Sequence, residues 1–183
     1  MTKIIEAPIP SQLQNDYFFP QDQVLAIDME EYQEWRPEAL GNWHYEFLEY
    51  EGAEGYKPWL HSETVIPDIM LAWKEKQRVL TELYAKRAVK EAAPYMKEGI
   101  CLAFAALYYS NERPVRLNEW QQAINELAAS PVNFTERMGF IISRPSLYQS
   151  FKALEQIMIE LEKMYARFTI RKQNLIQKKT SQQ

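Results

Sequence analysis

Apolar residues near the C-terminus recur at alternating steps of four and three positions, and this pattern limits the fold more than any other. They are Leu147, Phe151, Leu154, Met158, Leu161, Tyr165 and Phe168. A seven-residue repeat of this kind predicts a long α-helix with one continuous apolar seam. We expect the seam to pack against other helices of the same chain, as in a bundle. A coiled-coil dimer is the alternative.

A second constraint is the unbroken apolar run from Ile100 to Tyr109, which is ten residues long. A membrane-spanning helix requires about 20 such residues, so the run predicts a helix buried in a protein core. We expect this central helix to follow Pro94 and to extend from Tyr95 to about Ser110. The single cysteine, Cys101, lies inside the run, which is typical of a small core side chain in a reducing compartment.

Weaker patterns predict the remaining helices. They place two short helices near residues 28–35 and 37–49, a long helix from about 61 to 89, and shorter helices over 118–129 and 133–142. The last two begin with capping-box spacings, Asn118 with Gln121 and Asn133 with Glu136. The chain contains only 5 Gly, which argues against a fold built from tight hairpins. We therefore predict an all-α, single-domain bundle of about five to seven helices.

The two ends of the chain differ from this helical domain. Residues 1–20 contain three prolines and no helical period, so they predict an extended arm whose aromatic cluster, 17–19, anchors it to the body. Residues 21–170 form the predicted domain, with a clean helical pattern from about residue 61. Residues 171–183 predict a polar, basic, frayed tail. The first residues include no apolar signal segment, which favours a cytoplasmic protein without membrane contact.

The formal net charge of −4 conceals an asymmetry along the chain. Residues 1–66 contain 13 acidic and 3 basic side chains, whereas residues 67–183 contain 12 acidic and 18 basic ones. One interpretation is that the acidic part packs against the basic part within the same fold. The other is that the basic part faces an anion such as nucleic acid.

Motifs that carry known chemistry are absent from the sequence. The two histidines, His44 and His61, have no second His or Cys at a helical step. There is also no nucleophile elbow and no Gly-rich phosphate loop. We therefore predict no metal, no cofactor and no catalytic residue. An enzyme whose site combines carboxylates and an arginine without any motif remains an alternative.

Arginines at the helix breaks are the best candidates for a binding site. If the turns at 111–116 and 143–146 lie at one end of a bundle, their arginines meet near helix N-termini and form an anion-binding corner. Ordinary salt bridging at helix ends is the alternative, with Trp120 in the core. The candidate binding residues are Arg113, Arg116, Trp120, Arg137, Arg144 and Tyr148.

Several short motifs resemble the YpoC-like proteins of Bacillus and its relatives. They are Lys57-Pro58-Trp59-Leu60-His61, Asn111-Glu112-Arg113-Pro114-Val115, Phe134-Thr135-Glu136-Arg137 and the stretch from Ile142 to Phe151. The resemblance covers residues 58–168 and does not include the first 57 residues. It implies a small, helical, cytoplasmic protein, and it supplies no activity and no catalytic residue.

The genes of that family tend to lie near those for endonuclease III and a DnaD-like replication protein, which implies a replication or repair role by association only. The sequence itself favours a non-enzymatic binding or adaptor protein with a protein partner. A DNA-associated accessory factor that contacts nucleic acid through its basic C-terminal half is the alternative. We expect a monomer, with a dimer through the heptad seam as the other possibility.

Overall fold

The computed structural model describes residues 3–21 and 23–180, which form six α-helices and two strands. The prediction of a single, mainly helical domain with five to seven helices is confirmed. Short 3₁₀ turns lie at Ser11–Leu13, Met29–Tyr32, Pro37–Ala39 and Pro58–Leu60. In chain order, the longer elements are β1 (Ile4–Pro8), β2 (Val24–Asp28), α1 (His44–Tyr50), α2 (Ser62–Ala85), α3 (Val89–Ser110), α4 (Trp120–Ile124), α5 (Phe134–Ser143) and α6 (Tyr148–Thr180).

Helix α3 is the centre of the fold. All ten residues of the apolar run from Ile100 to Tyr109 are buried, which confirms the predicted core helix. Full burial of each leucine, isoleucine or phenylalanine side chain in this run contributes about 1.5–3 kcal/mol, so the run supplies a large part of the hydrophobic stabilisation. The helix begins at Val89, earlier than predicted, because Pro94 is accommodated inside it. Pro94 removes one backbone hydrogen bond near the exposed start of the helix, where water replaces it.

Helices α2 and α6 pack against α3 and against each other. The Tyr84 ring, near the end of α2, stacks on Phe151 near the start of α6, with a centroid distance of 5.3 Å. Farther along, the Gln77 amide donates to the Glu155 carboxylate at 2.8 Å. Since α2 and α3 are joined by a short turn and run antiparallel, α6 is antiparallel to α2 and parallel to α3.

The predicted heptad seam lies inside the protein over most of its length. Phe151, Leu154, Met158 and Leu161 are buried between the neighbouring helices. Helix α6 then continues to Thr180, so the prediction of a frayed tail is wrong for residues 171–180. Residues 181–183 of that predicted tail lie outside the described residues. Every side chain from 171 to 180 is exposed, so this part of the helix projects from the body.

The N-terminal segment wraps around the bundle. Strands β1 and β2 pair antiparallel, with Ile4 opposite Asp28 and Pro8 opposite Val24. Phe18 is buried, with its ring centroid 5.5 Å from that of Phe104 on α3, so the predicted aromatic anchor is in place. The small sheet was not predicted, because each strand has only five residues and one half-exposed face.

Several predicted helices are shorter than expected. The helix predicted over 37–49 is interrupted, because Gly41 (φ 85°) and Trp43 (φ 63°) adopt left-handed backbone conformations before α1. The helix predicted over 118–129 reduces to α4, five residues long. Neither predicted capping box forms: Asn133 makes no side-chain capping bond, and α4 begins after Glu119, which also makes none.

Two glycines in helices differ in the space available for a side chain. A Cβ atom on Gly99 of α3 would lie 2.8 Å from the Trp73 ring and 3.0 Å from a Leu154 methyl group. Side chains of α2 and α6 therefore both pack directly against the backbone of α3 at Gly99. A Cβ atom on Gly139 of α5 would meet nothing within 4 Å.

We predict that Gly99→Ala lowers the free energy of unfolding by about 1–3 kcal/mol, because the added methyl group overpacks the junction of three helices. Gly139→Ala, the matched control, should raise it by about 0.5–1 kcal/mol, since alanine favours helix and the site is open. Urea unfolding of both variants checks this pair. Equal effects of the two substitutions would show that α2, α3 and α6 do not meet closely at Gly99.

One carboxyl group is buried in this core. Glu46 of α1 is 1% exposed, and its Oε1 accepts a hydrogen bond of 2.6 Å from the Tyr109 hydroxyl. Burial raises the pKa of Glu46 to about 7, although hydrogen bonds from Tyr109 and from the backbone of Glu46 and Val115 oppose the shift. The folded protein therefore holds a proton on Glu46 at pH values where the unfolded chain has lost it.

This raised pKa predicts a loss of stability as pH rises. Below about pH 4.5 the group is protonated in both states, and between pH 4.5 and 7 only the folded state keeps the proton. Ionisation should therefore cost the folded state roughly 3 kcal/mol by pH 8. Glu46→Gln cannot titrate, so its free energy of unfolding relative to the parent protein should increase over this range. Urea unfolding from pH 4.5 to 8 measures the difference, and a constant difference would contradict the assignment.

Candidate functional site

The arginines predicted to form one anion-binding corner are distributed over both ends of the bundle. The Tyr84 hydroxyl donates to the Pro145 carbonyl at 3.4 Å, so the turn before α6 lies at the C-terminal end of α2. The Lys172 Nζ lies 3.1 Å from the Glu112 carboxylate, so the turn after α3 lies beside the far end of α6. Residues 148 and 172 belong to one helix and are about 36 Å apart.

The predicted residues therefore do not form a single corner, and helix length explains why. The prediction required two helices that run down and back between the two turns. Helix α4 is too short to cross the bundle, so α5 alone carries the chain to the opposite end. Anion binding by the individual arginines stays a prediction.

Two of the candidate binding residues, Arg137 and Trp120, make contacts that hold the fold together. Arg137 forms an ion pair of 2.8 Å with Glu160 and donates to the Val132 carbonyl, which attaches α5 to α6. Trp120 is buried, and its ring meets that of Phe104 edge to face at 5.4 Å. Trp120 is therefore a core residue, as the alternative interpretation held.

Two other candidates are exposed at the start of α6. The Arg144 guanidinium lies 5.9 Å from the centre of the Phe140 ring. Tyr148 is 55% exposed, and its ring contacts those of Tyr84 and Phe151. These contacts place both side chains at the N-terminal end of the helix, away from the remaining arginines.

Arg113 and Arg116 are the only candidate arginines that the structure brings together. They line a cleft of about 230 Å³ beside the turn after α3. The Nε of Arg116 is buried and has no hydrogen-bond partner among the described residues. The other residues that line the cleft are Gln12, Tyr50, Tyr108, Pro114, Ala123, Glu126 and Leu127.

A larger surface, missed by the sequence analysis, lies on the far half of α6. From Glu162 to Thr180, all of it described, no side chain of the helix is buried. The apolar side that packs in the core up to Leu161 nevertheless continues along the helix. We call its uncovered part the distal stripe, and it consists of Tyr165, Phe168, Leu175 and Ile176. Leu175 and Ile176 are 61% and 60% exposed.

The distal stripe forms one wall of an apolar groove of about 520 Å³, which we call the α6 groove. The opposite wall consists of the start of α2, the end of α3 with the turn that follows, and Ala128. A second groove of about 660 Å³ runs along the other side of α6, with Leu71 and Ile170 exposed in it. Contiguous exposed apolar surface of this kind marks interaction sites in soluble proteins.

The charges on the far half of α6 have one sign. Residues 163–180 contain no acidic side chain. They contain six basic ones, which are Lys163, Arg167, Arg171, Lys172, Lys178 and Lys179. At 3.6 residues per turn, Lys163, Arg167 and Lys178 lie on the side of the helix opposite the distal stripe, whereas Arg171 and Lys172 line the α6 groove. The far half of α6 is thus a basic amphipathic helix. Both the repeat, which reaches Leu175, and the absence of acids are visible in the sequence.

Clusters suited to metal binding do not occur among residues 3–21 and 23–180, where no three potential ligand side chains gather. Within the same residues, no helix has the length and apolar character needed to cross a bilayer. Cys101 is buried, and burial raises the pKa of its thiol to about 12. The thiol is therefore a packing group and not a nucleophile.

Comparison with known proteins gives one family. The model of the YpoC-like protein family matches residues 63–173, which extend from the start of α2 into the far half of α6. The chain is also 26% identical over 116 residues to the "Uncharacterized protein YpoC" of Bacillus subtilis (strain 168), an alignment covering 63% of this chain and 71% of that protein. No solved structure gives a significant match. Since the family model covers more than half of its length, the chain belongs to the YpoC-like protein family.

Proposed function

We propose that this protein is a non-enzymatic adaptor that binds an acidic amphipathic helix of a partner protein in the α6 groove. The observation that carries the proposal is the distal stripe, which continues the packed seam of α6 past the point where α2 and α3 cover it. Apolar side chains at helical spacing are stabilised by burial. A partner that covers these side chains is therefore bound more tightly, and the bundle does not have to rearrange.

The packing of the same seam inside the bundle supports a helix as the occupant. Up to Leu161, the seam is covered by the two neighbouring helices, α2 and α3. Tyr165, Phe168 and Leu175 keep the spacing of the seam, with Lys172 at the position between the last two and Ile176 one residue beyond. A helix laid beside these residues extends the same packing beyond the ends of its neighbours. Residues 162–180 offer such a helix a length of about 28 Å.

Charge complementarity supports an acidic partner. Among the described residues, the six basic side chains of residues 163–180 form one ion pair, between Lys172 and Glu112. A second copy of this chain would place two such basic helices side by side, where like charges repel. A partner helix with carboxylates along its flanks places them near Arg171 and Lys172, the two basic residues that line the groove.

The shape of the site favours a helix over the alternatives. A flat bilayer contacts convex surfaces, whereas the distal stripe faces a recess. Nucleic acid is bound mainly through phosphate contacts, which leave an apolar groove uncovered. Catalysis is also disfavoured in the Arg113–Arg116 cleft. The hydroxyls of Tyr50 and Tyr108 there donate to backbone carbonyls, and burial raises the pKa of each well above its usual range.

The proposal predicts binding of a designed peptide by the 183-residue chain. The probe is a labelled 21-residue helix with Leu at the two seam positions of each heptad and Glu at the flanking positions. We expect saturable binding in fluorescence anisotropy. Ile176→Ala should weaken it by about five- to tenfold, because the lost burial corresponds to roughly 1–1.5 kcal/mol.

The chain supplies a matched control for this experiment. Ile4 of β1 has the same exposed fraction as Ile176, 60%, but lies far from α6, so Ile4→Ala should leave binding unchanged. Equal effects of the two variants, or equally tight binding of a peptide with Lys in place of Glu, would overturn the proposal. So would binding of anionic vesicles or duplex DNA that Ile176→Ala weakens while the acidic peptide fails to bind. Ultracentrifugation tests the remaining occupant, since a dimer dispersed by Ile176→Ala would assign the groove to a second copy.

A further inference from the structure

We propose that the cleft lined by Arg113 and Arg116 binds a small oxyanion, a carboxylate or a phosphate group. This site is separate from the α6 groove and does not depend on the proposed adaptor function. It lies on the other side of the turn that follows α3, and the two sets of lining residues do not overlap.

The buried Nε of Arg116 is the first argument. A buried N–H group without a partner destabilises the folded state, and native structures satisfy nearly all such groups. The guanidinium of Arg116 forms no ion pair within the described residues, although Glu126 lines the same cleft. A ligand oxygen that accepts from Nε would remove this cost, and a guanidinium matches the two oxygens of a carboxylate or phosphate.

The backbone that carries Arg116 is held rigidly, which is the second argument. The Tyr50 hydroxyl donates to the Val115 carbonyl at 3.0 Å, and the Tyr108 hydroxyl donates to the Arg116 carbonyl at 3.1 Å. On the other side, the amides of residues 117 and 118 both donate to the Gln12 carbonyl, at 2.9 and 3.0 Å. The position of Arg116 is therefore fixed before any ligand arrives, which reduces the entropy lost on binding.

Size and charge define the ligand. The cleft, about 230 Å³, is smaller than the roughly 300–1,000 Å³ of sites for drug-sized molecules, so it fits one anionic group and not a nucleotide. Arg113 is exposed at the rim and adds a second positive charge. The carboxylate of Glu126 lowers the net charge to that of one cation, which favours a single small oxyanion over a polyanion.

Nuclear magnetic resonance of the arginine Nε–Hε groups tests the proposal directly. The protein is titrated separately with inorganic phosphate and with acetate, and sodium chloride keeps the ionic strength constant. We expect the Arg116 Nε–Hε signal to shift saturably with at least one of the two anions, while the signal of exposed Arg167 responds only weakly and linearly. A saturable response to phosphate alone assigns the site to phosphate groups, and a saturable response to acetate alone assigns it to carboxylates. A response to both anions shows that the site accepts either group.

Three variants complete the test, with the backbone amide of Tyr108 as the reporter. Arg116→Gln should abolish the saturable response, and Arg167→Gln should leave it unchanged. Because Arg116 is partly buried, circular dichroism establishes that the variant folds. Arg113→Gln, at an exposed position, supplies an independent variant that should weaken binding by about threefold. A linear response of Arg116 to both anions, or saturable binding that survives both Arg116→Gln and Arg113→Gln, would overturn the proposal. Neither Arg116→Gln nor Arg113→Gln should change binding of the acidic peptide in the α6 groove.

Discussion

Complete burial of the second half of α3 is the constraint on which the rest of the structure depends. A helix that is apolar on every side must be covered on every side, and one or two neighbours are not enough. Helices α2 and α6 cover two sides, and the N-terminal segment covers another through Phe18. The small elements between them fill the remainder: Trp120 of α4 and Phe134 of α5 both place their rings against Phe104. The described residues of the N-terminal segment that cover α3, Phe18 among them, are therefore part of the core and not an appendage.

The sequence predicted the elements whose pattern is long and missed those that tertiary contacts determine. The seam from Phe151 to Leu161 and the run from Ile100 to Tyr109 are long enough for periodicity alone to identify a helix and its buried side. The β1–β2 pair and α4 consist of five-residue elements, which propensity cannot separate from loops. The capping residues were wrong for a related reason. Asn133 has a suitable side chain, but its backbone adopts a left-handed conformation with φ of 54°, which turns the side chain away from the helix start.

In the candidate site, too, the sequence predicted local features and missed those that tertiary structure determines. The sequence correctly placed Arg113 and Arg116 beside one turn, because residues three apart along the chain remain close in any fold. It failed to predict which end of the bundle each turn occupies, because that depends on how many helices cross the bundle between residues 116 and 144. The distal stripe was within reach of sequence reasoning. Leu175 continues the heptad past Lys172, and the single-sign charge of residues 163–180 is visible without coordinates.

The anchoring of Phe18 has a consequence for the evolution of this family. The family model matches residues 63–173, yet Phe104, inside that range, is partly covered by Phe18, outside it. A relative whose N-terminal segment diverged would leave a gap over α3 unless another side chain filled it. Substitutions near position 18 are therefore expected to co-vary with the size of the residue at position 104, because the two side chains share one part of the core.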